Sequence, residues 1–237
     1  FNHILILGDG DQIMDAAKPY DGIQIDFELI PGRDADNFIS FLKELSDLAK
    51  KQEKVFSVCV PARVKTISDD VFPYKKIGDL ADKVIVMAYD EHWSTSKAGP
   101  IASFKWCQKI VDYSVTVIPQ EKLVMGLPFY GRTWSEKKPA QAWYYSGINR
   151  IMKENGAKKV EYIDGIPSVK FNMDVEVIGF FEDVNSVVQK MRLYDYKNVK
   201  NIAFWRIGQE DSDVWDWIKI KDETANLEES EETTETQ

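Results

Sequence analysis

The sequence predicts an α/β protein: a parallel (β/α) barrel of the TIM type, lacking its first one or two βα units and carrying a small α+β insertion. Three observations predict it. Apolar, strand-length runs alternate with amphipathic helix patterns along most of the chain, the order that a parallel sheet covered by helices requires. Ile23-Gln24-Ile25-Asp26-Phe27-Glu28 alternates apolar and polar with a period of two, breaks at Leu29-Ile30-Pro31-Gly32, and passes straight into a helix pattern. Polar and aromatic residues also gather at the downstream ends of four such runs, where barrel enzymes keep their chemistry.

The elements follow in order. Ile4 to Leu7 reads as a short strand closed by a turn at Gly8-Asp9-Gly10-Asp11, whose spacing does not fit a calcium loop. A short helix through Met14 to Ala17 leads to the alternating strand. Taken alone, that strand's Gln24, Asp26 and Glu28 suit the wet face of an edge strand, but the helix directly after it argues for a parallel βαβ unit, with the acids facing inward. Asp34 to Lys51 is the clearest helix, because Phe38, Phe41, Leu42, Leu45, Leu48 and Ala49 form one apolar stripe. Either Asp34 or Asp36 is placed to cap it.

Val55 to Val60 is the next strand, stopped by Pro61. Ile77, Leu80 and Ala81 mark a short helix, and Val84 to Tyr89 a strand. A helix from about Ser103 buries Phe104, Cys107, Ile110 and Val111. Leu123 to Leu127 is a strand running on into Pro128-Phe129-Tyr130-Gly131-Arg132. The rhythm breaks over about 135–178, read as an insertion of helix and hairpin. It returns with Val177 to Phe181, a helix over Val187, Val188 and Met191, the strand Asn201 to Trp205, and a short helix bearing Trp215 and Trp217. That makes about six strand-like runs where a full barrel has eight, so the two open edges need strands from elsewhere.

Composition bounds the function. At 237 residues, with 44% hydrophobic and 29% charged residues, the chain has the make-up of a water-soluble globular protein, and no run is apolar enough for a membrane span. The net charge of −9 is concentrated in residues 221–237, which carry seven acids and one lysine; this segment is expected to be a disordered acidic tail behind a barrel domain spanning 1–220. The rest has no basic stripe to neutralise phosphates, which argues against nucleic acid as a partner. Cys59 and Cys107 read as buried free thiols, and two histidines leave His92 without co-ligands for a metal. No nucleophile elbow, phosphate loop or Cys-x-x-Cys occurs, and no cofactor is expected. The chain begins at Phe1 and reads as a piece of a longer product.

Asp21-Gly22-x-Gln24-x-Asp26-x-Glu28 resembles the Asp-Gly-x-Asp-x-Asp-x-Glu signature of glycoside hydrolase family 18, the chitinase-like enzymes, with an amide at one acidic position. Met87-Ala88-Tyr89-Asp90 is similar to that family's Met-x-Tyr-Asp, and Gly126-Leu127-Pro128-Phe129-Tyr130-Gly131-Arg132 to its Gly-x-Pro-x-Tyr-Gly-Arg. Trp205 stands where the family places a Trp on the last barrel strand. All four occur in order over roughly residues 1–218.

The resemblance implies a glycosidase cleaving β-linked N-acetylglucosamine polymers, chitin or peptidoglycan glycan, with Glu28 as general acid and with the substrate's own acetamido oxygen as nucleophile. It implies that Asp26 orients the acetamido N–H, Tyr89 holds the acetamido oxygen, Asp90 bonds a sugar hydroxyl, Trp205 floors the ring, and Tyr130 and Arg132 line the pocket. Asp21 and Gln24 complete the signature, and Trp93 and Trp134, each just past a strand end, either stack on sugars or close the barrel mouth. Read singly, Tyr89, Tyr130 and Trp205 also fit ordinary packed aromatics, Asp90 a loop or cap residue, and Arg132 a loop ion pair. A substrate of this kind places the protein at the cell envelope or outside the cell. Two other readings stay open. One is a lectin-like binder without catalysis, suggested by Gln24, which cannot take a proton; the other is an interaction fragment acting through its acidic tail.

Overall fold

The computed structural model describes residues 10–135, 138–157, 159–172 and 176–219. The strand expected at Ile4 to Leu7 and the tail at 221–237 lie outside the described residues. Gly10 and Asp11, expected in a turn, instead open the first helix, α1 (Gly10–Ala16).

Three βα units and a fourth parallel strand then follow. They run β1 (Gly22–Ile25), α2 (Ala35–Lys51), β2 (Val55–Pro61), α3 (Tyr74–Leu80), β3 (Lys83–Met87), α4 (Phe104–Val117) and β4 (Leu123–Pro128). A second block holds β5 (Tyr130–Ser135), β6 (Lys138–Tyr144), α5 (Tyr145–Glu154), β7 (Val160–Ile163), β8 (Ile166–Asn172) and β9 (Glu176–Phe180). The chain returns through α6 (Val184–Tyr196) to β10 (Asn201–Trp205) and a 3-10 turn at Ser212–Asp216.

Among the described residues, the parallel sheet has five strands in the order β1-β2-β3-β4-β10. A helix between successive strands carries the chain back to the starting end, which forces the parallel sense. Alternation divides the sheet's two faces. Val58, Val60, Val84, Val86, Leu123, Met125 and Leu127 point outward onto Leu42 and Leu45 of α2 and Ile110 and Val111 of α4. Each such aliphatic side chain contributes roughly 1.5–3 kcal/mol on burial. The opposite face carries a smaller cluster of Cys59, Ile85 and Val124, with Met87 and Ala203 against it.

The second sheet is antiparallel, in the order β6-β5-β9-β8-β7. Two expectations change here. The segment after Pro128 does not prolong β4, since Tyr130–Ser135 pairs with β6 and β9 instead. Val177 to Phe181 was expected to rejoin the parallel alternation, but β9 pairs antiparallel with β5 and β8. Its unbroken apolar run suits a strand buried on both faces in either kind of sheet, and α5 packs on one face through Ile148 while Trp134 meets Phe180 on the other.

The helix starts are held locally. Asp34 occupies the N-cap of α2 without a side-chain bond, and the 3-10 turn Gly32–Asp34 feeds that helix directly. Ser103 caps α4 by accepting from the Trp106 amide, and Asp183 with Ser186 forms a reciprocal capping box on α6. Beneath that cap Lys190 Nζ lies 2.6 Å from Glu182 Oε2 and 3.2 Å from the Ala102 carbonyl, with the whole group buried. This contact ties α6 to the loop leaving β3.

Candidate active site

The site starts where β1 stops. Regular strand ends at Ile25, so Asp26 and Glu28 project from the extended segment that follows, and Leu29 turns the chain with φ 55°. Gln24 is on the strand, where the Ser57 hydroxyl lies 3.4 Å from its Oε1. Asp21 precedes the strand, and its carbonyl accepts the Val55 amide at 2.9 Å.

Asp26 meets Cys59 of β2. Burial, then the Asp26 carboxylate with its hydrogen bond, and then Glu28 push the Cys59 thiol up to about 12. The thiol is therefore a neutral donor beside a carboxylate and a poor nucleophile. Both cysteines are free and buried, as the sequence implied. Burial, followed by Asp26 and Asp90, raises the Glu28 carboxyl above the ordinary carboxylate range. That favours the protonated form of the carboxyl.

Tyr89 follows β3 in the same cluster, its hydroxyl pushed upward by burial first and then by Cys59, Asp26, Glu28 and Asp90. Room for its ring comes from Gly126 on the neighbouring strand, where an added Cβ would stand 3.1 Å from Tyr89 Cε1 and 2.9 Å from the Val86 carbonyl oxygen. Asp90 sits in the left-handed region at φ 56°, a conformation that Asp tolerates better than most residues. Its Oδ1 accepts from Tyr130 Oη at 2.7 Å and from Arg132 Nη2 at 3.0 Å. The Tyr89 and Tyr130 rings meet edge to face, with centroids 6.4 Å apart.

The loop behind Asp90 is pinned by its neighbour. Glu91 Oε2 accepts the Ser103 amide at 2.8 Å while the Glu91 amide donates to the Ile101 carbonyl at 2.8 Å. His92 bonds the Pro100 carbonyl at 2.8 Å over Gly99, where any Cβ would lie 2.4 Å from the imidazole. His92 is thus a loop fastener, and no group of metal-ligating side chains forms among the described residues.

Trp205 ends β10, half exposed, on the face that Ala203 shares with Cys59 and Met87; its peptide to Arg206 is cis. Two expected substrate-binding residues fall elsewhere. The ring of Trp134 is only 8% exposed, locked edge-on against Phe180 and clustered with Tyr130 and Ile101, so it serves as core of the second sheet. Trp93 is exposed on the loop, its indole N–H donating to Thr95 Oγ1 at 3.0 Å. Sequence reasoning missed Cys59 and Glu91 as supports of the site. Strand parity pointed to the first, since Cys59 is two residues from Ser57, which faces Gln24 across the register.

A parallel α/β sheet with carboxylates and aromatic side chains collected beyond its strand ends is the arrangement of an α/β enzyme. The family is shown directly: residues 11–210 match the model of glycosyl hydrolases family 18, and the chain belongs to that family. It is 28% identical over 221 residues to an uncharacterized glycosylase, YvbX, of Bacillus subtilis, covering 88% of this chain and 64% of that one. It is 24% identical over 230 residues to the cortical fragment-lytic enzyme of Bacillus subtilis, covering 90% and 52%. Among solved structures, the Bacillus cereus spore cortex-lytic enzyme SleL shares the fold with a TM-score of 0.79 at 21% identity, over 87% of this chain and 50% of that one. The chain thus spans about half to two thirds of these proteins' lengths. No helix among the described residues is long and apolar enough to cross a membrane.

Proposed function

We propose that this chain is a retaining glycosidase acting on β-linked N-acetylglucosamine polymers of the envelope or the extracellular space, by substrate-assisted catalysis. The observation that carries the proposal is the grouping of Glu28 and Asp26 with Tyr89 and with an Asp90 held by Tyr130 and Arg132, in which the Glu28 carboxyl is pushed upward. Asp26 and Glu28 arise from one short segment and stand on one side of the bound sugar, which suits neither the ~5 Å nucleophile–acid pair of ordinary retaining enzymes nor attack from the opposite face. The acetamido oxygen of the substrate makes that attack on the anomeric carbon. Glu28 gives its proton to the departing glycosidic oxygen as that bond breaks. Asp26 orients the acetamido N–H and offsets the oxazolinium charge, and Tyr89 holds the acetamido oxygen. Water then adds to the anomeric carbon from the face the leaving group vacated, breaking its bond to the acetamido oxygen and restoring the acetamide, and returns a proton to Glu28, so the configuration is retained.

Asp90, held by Tyr130 and Arg132, bonds a ring hydroxyl, and Trp205 supplies the apolar floor. On this reading the five parallel strands are part of a (β/α) barrel. Glu28→Gln tests the reading: hydrolysis of a chromogenic chito-oligosaccharide falls about 10²–10⁴-fold, the usual size of a general-acid contribution, while binding persists. Equal loss of binding and turnover overturns the acid role. The second reading, a lectin-like binder, draws on Gln24, whose amide stands where an acid would share a proton with Asp26; it predicts glycan binding with no turnover in the parent chain.

A further inference from the structure

We propose that Lys190, aimed by Glu182 in the buried space beneath α6, is a positioning residue for the loop that carries Tyr89 and Asp90. The placement of these two groups then depends on a buried ion pair that never meets the sugar. The inference rests on the glycosidase reading above and extends the working parts of the site beyond the residues that face the substrate.

The loop runs from Ala88, just past β3, to Ser103, the N-cap of α4. Its two arms are joined at Glu91, the residue after Asp90. The Glu91 amide donates to the Ile101 carbonyl at 2.8 Å, and Glu91 Oε2 accepts the Ser103 amide at 2.8 Å. Between those two contacts on the return arm lies Ala102, fully buried, whose carbonyl accepts from Lys190 Nζ at 3.2 Å. Lys190 thus holds the return arm at the residue flanked by both partners of Glu91, and a single peptide bond carries that hold to Asp90. The outgoing arm is fastened from the same interior, where the Cys107 thiol of α4 stands 3.9 Å from the Ala88 carbonyl, directly before Tyr89.

The loop needs such holding. Asp90 sits at φ 56°, a conformation that a residue other than glycine keeps only where its surroundings over-determine it. Tyr130 and Arg132 fix its carboxylate, while the backbone beneath is tied through Glu91 to the return arm and so to Lys190. Stability alone does not account for the pair, because well-packed apolar residues of like volume often serve a fold as well as a buried ion pair or better. Glu182 is also incompletely satisfied. Its Oε2 accepts from Lys190 Nζ and from the Ser186 hydroxyl, each at 2.6 Å, but Oε1 has no hydrogen-bond partner among the described residues. What apolar residues could not supply is a donor for the Ala102 carbonyl. The other titratable groups around the pair are Asp183 and Tyr194, Cys107 of α4 and Glu91 of the loop itself.

The test replaces both partners in the full chain, Lys190→Met with Glu182→Gln, so that no buried charge is stranded and the fold persists. Two quantities are compared with the parent: the alkaline limb of chito-oligosaccharide hydrolysis against pH, and the calorimetric affinity for the same oligosaccharide. Glu28 is faced by Asp26, Tyr89, Asp90 and Cys59, and of these Tyr89 and Asp90 ride on the loop. An Asp90 that leaves its place relaxes its push on Glu28, so the limb is expected to move to lower pH, and affinity to fall about tenfold with the lost sugar contact. Ile148→Ala, a core truncation under the second sheet, is expected to lower the melting temperature and move neither quantity. In an Asp90→Asn background the paired change is expected to move the limb no further, since the charge through which it acts is gone. A limb and an affinity that both stay put overturn the proposal, and so does a limb that moves as far with Asp90→Asn present as without it. A parent chain that binds the oligosaccharide without cleaving it strikes at the glycosidase reading alone, and the affinity comparison then decides the role of Lys190. A parent chain that neither binds nor cleaves overturns both.

Discussion

The Tyr130 hydroxyl donates to Asp90 Oδ1 at 2.7 Å, a bond that joins the antiparallel sheet to the loop leaving the parallel one. Tyr130 itself is buried, whereas the Asp90 side chain remains nearly half exposed, so one carboxylate oxygen is fixed while the group still faces solvent and ligand. Tyr130→Phe keeps the ring packing against Tyr89 and removes only that donor. Hydrogen bonds to charged groups contribute about 1.5–3 kcal/mol, so kcat/KM is expected to fall about 10- to 100-fold, measured on a chromogenic chito-oligosaccharide. Because Arg132 still holds the same oxygen, Tyr130→Phe with Arg132→Met should cost more than the two single changes summed. Simple additivity would show that the two donors do not share the task of holding Asp90.

The Glu28 carboxyl predicts the alkaline limb of the pH–rate profile. Its proton is held above the ordinary carboxylate range by burial first and by Asp26 and Asp90 after that, so activity should persist above the pH at which a free glutamate is spent. Asp90→Asn removes one repelling charge, favours ionised Glu28, and should move the limb to lower pH; a limb that stays put separates Glu28 from it. The same shift carries a stability sign. A carboxyl whose folded value is raised binds its proton more tightly folded than unfolded, so stability falls as pH rises from the unfolded value towards the folded one. Glu28→Gln removes that penalty and should raise the melting temperature at pH 7 relative to pH 4.

Most of the parallel sheet was legible because each strand is an apolar run bounded by Gly, Pro or Asp and followed by a 3.6-period stripe. The residues around Glu28 were legible for a different reason, since two carboxylates alternating with apolar residues directly before a helix break the local pattern, although β1 is an edge strand of the described parallel sheet and not an inner one. What stayed hidden depended on pairing. Val177 to Phe181 is apolar throughout, and such a run does not reveal whether its neighbours run parallel or antiparallel; Arg132 and Phe180 meet only in the folded chain. Trp134 stood just past a strand end and Trp205 on the last strand, yet Trp134 is core and Trp205 half exposed, because only Trp134 lies between Phe180 and the Tyr130 cluster.

Gly126 should be intolerant of even one methyl. Alanine there meets the Val86 carbonyl oxygen at 2.9 Å and Tyr89 Cε1 at 3.1 Å, so either β3 and β4 separate or the Tyr89 ring moves. Overpacking of this kind costs about 1–3 kcal/mol. The ring is the softer partner, so activity should fall further than stability. Equal activity in Gly126→Ala and the parent would show that the ring's present position is not needed for turnover.

Lys190 and Glu182 offer the strongest stability test because neither has access to water. Lys190 Nζ donates to Glu182 Oε2 at 2.6 Å and to the Ala102 carbonyl at 3.2 Å, and the Ser186 hydroxyl adds a second bond to the same carboxylate oxygen. Burial pushes the Glu182 carboxyl upward, and Lys190 and Ser186 oppose that push. Lys190→Met keeps the volume and deletes the opposing charge, which should cost about 3–5 kcal/mol by leaving a buried acid without its cation. The pH dependence follows from the sign of the shift. Without Lys190 the folded form retains the Glu182 proton while the unfolded form releases it near the ordinary value, so the deficit should be smallest in acid and widen as pH rises. Urea titrations at pH 5 and pH 8 measure it directly, and Glu182→Gln paired with Lys190→Met should regain much of the loss by removing the group that ionises. A Lys190→Met deficit that is flat between those two pH values would mean that lost packing around the lysine stem, rather than the stranded carboxylate, sets the cost.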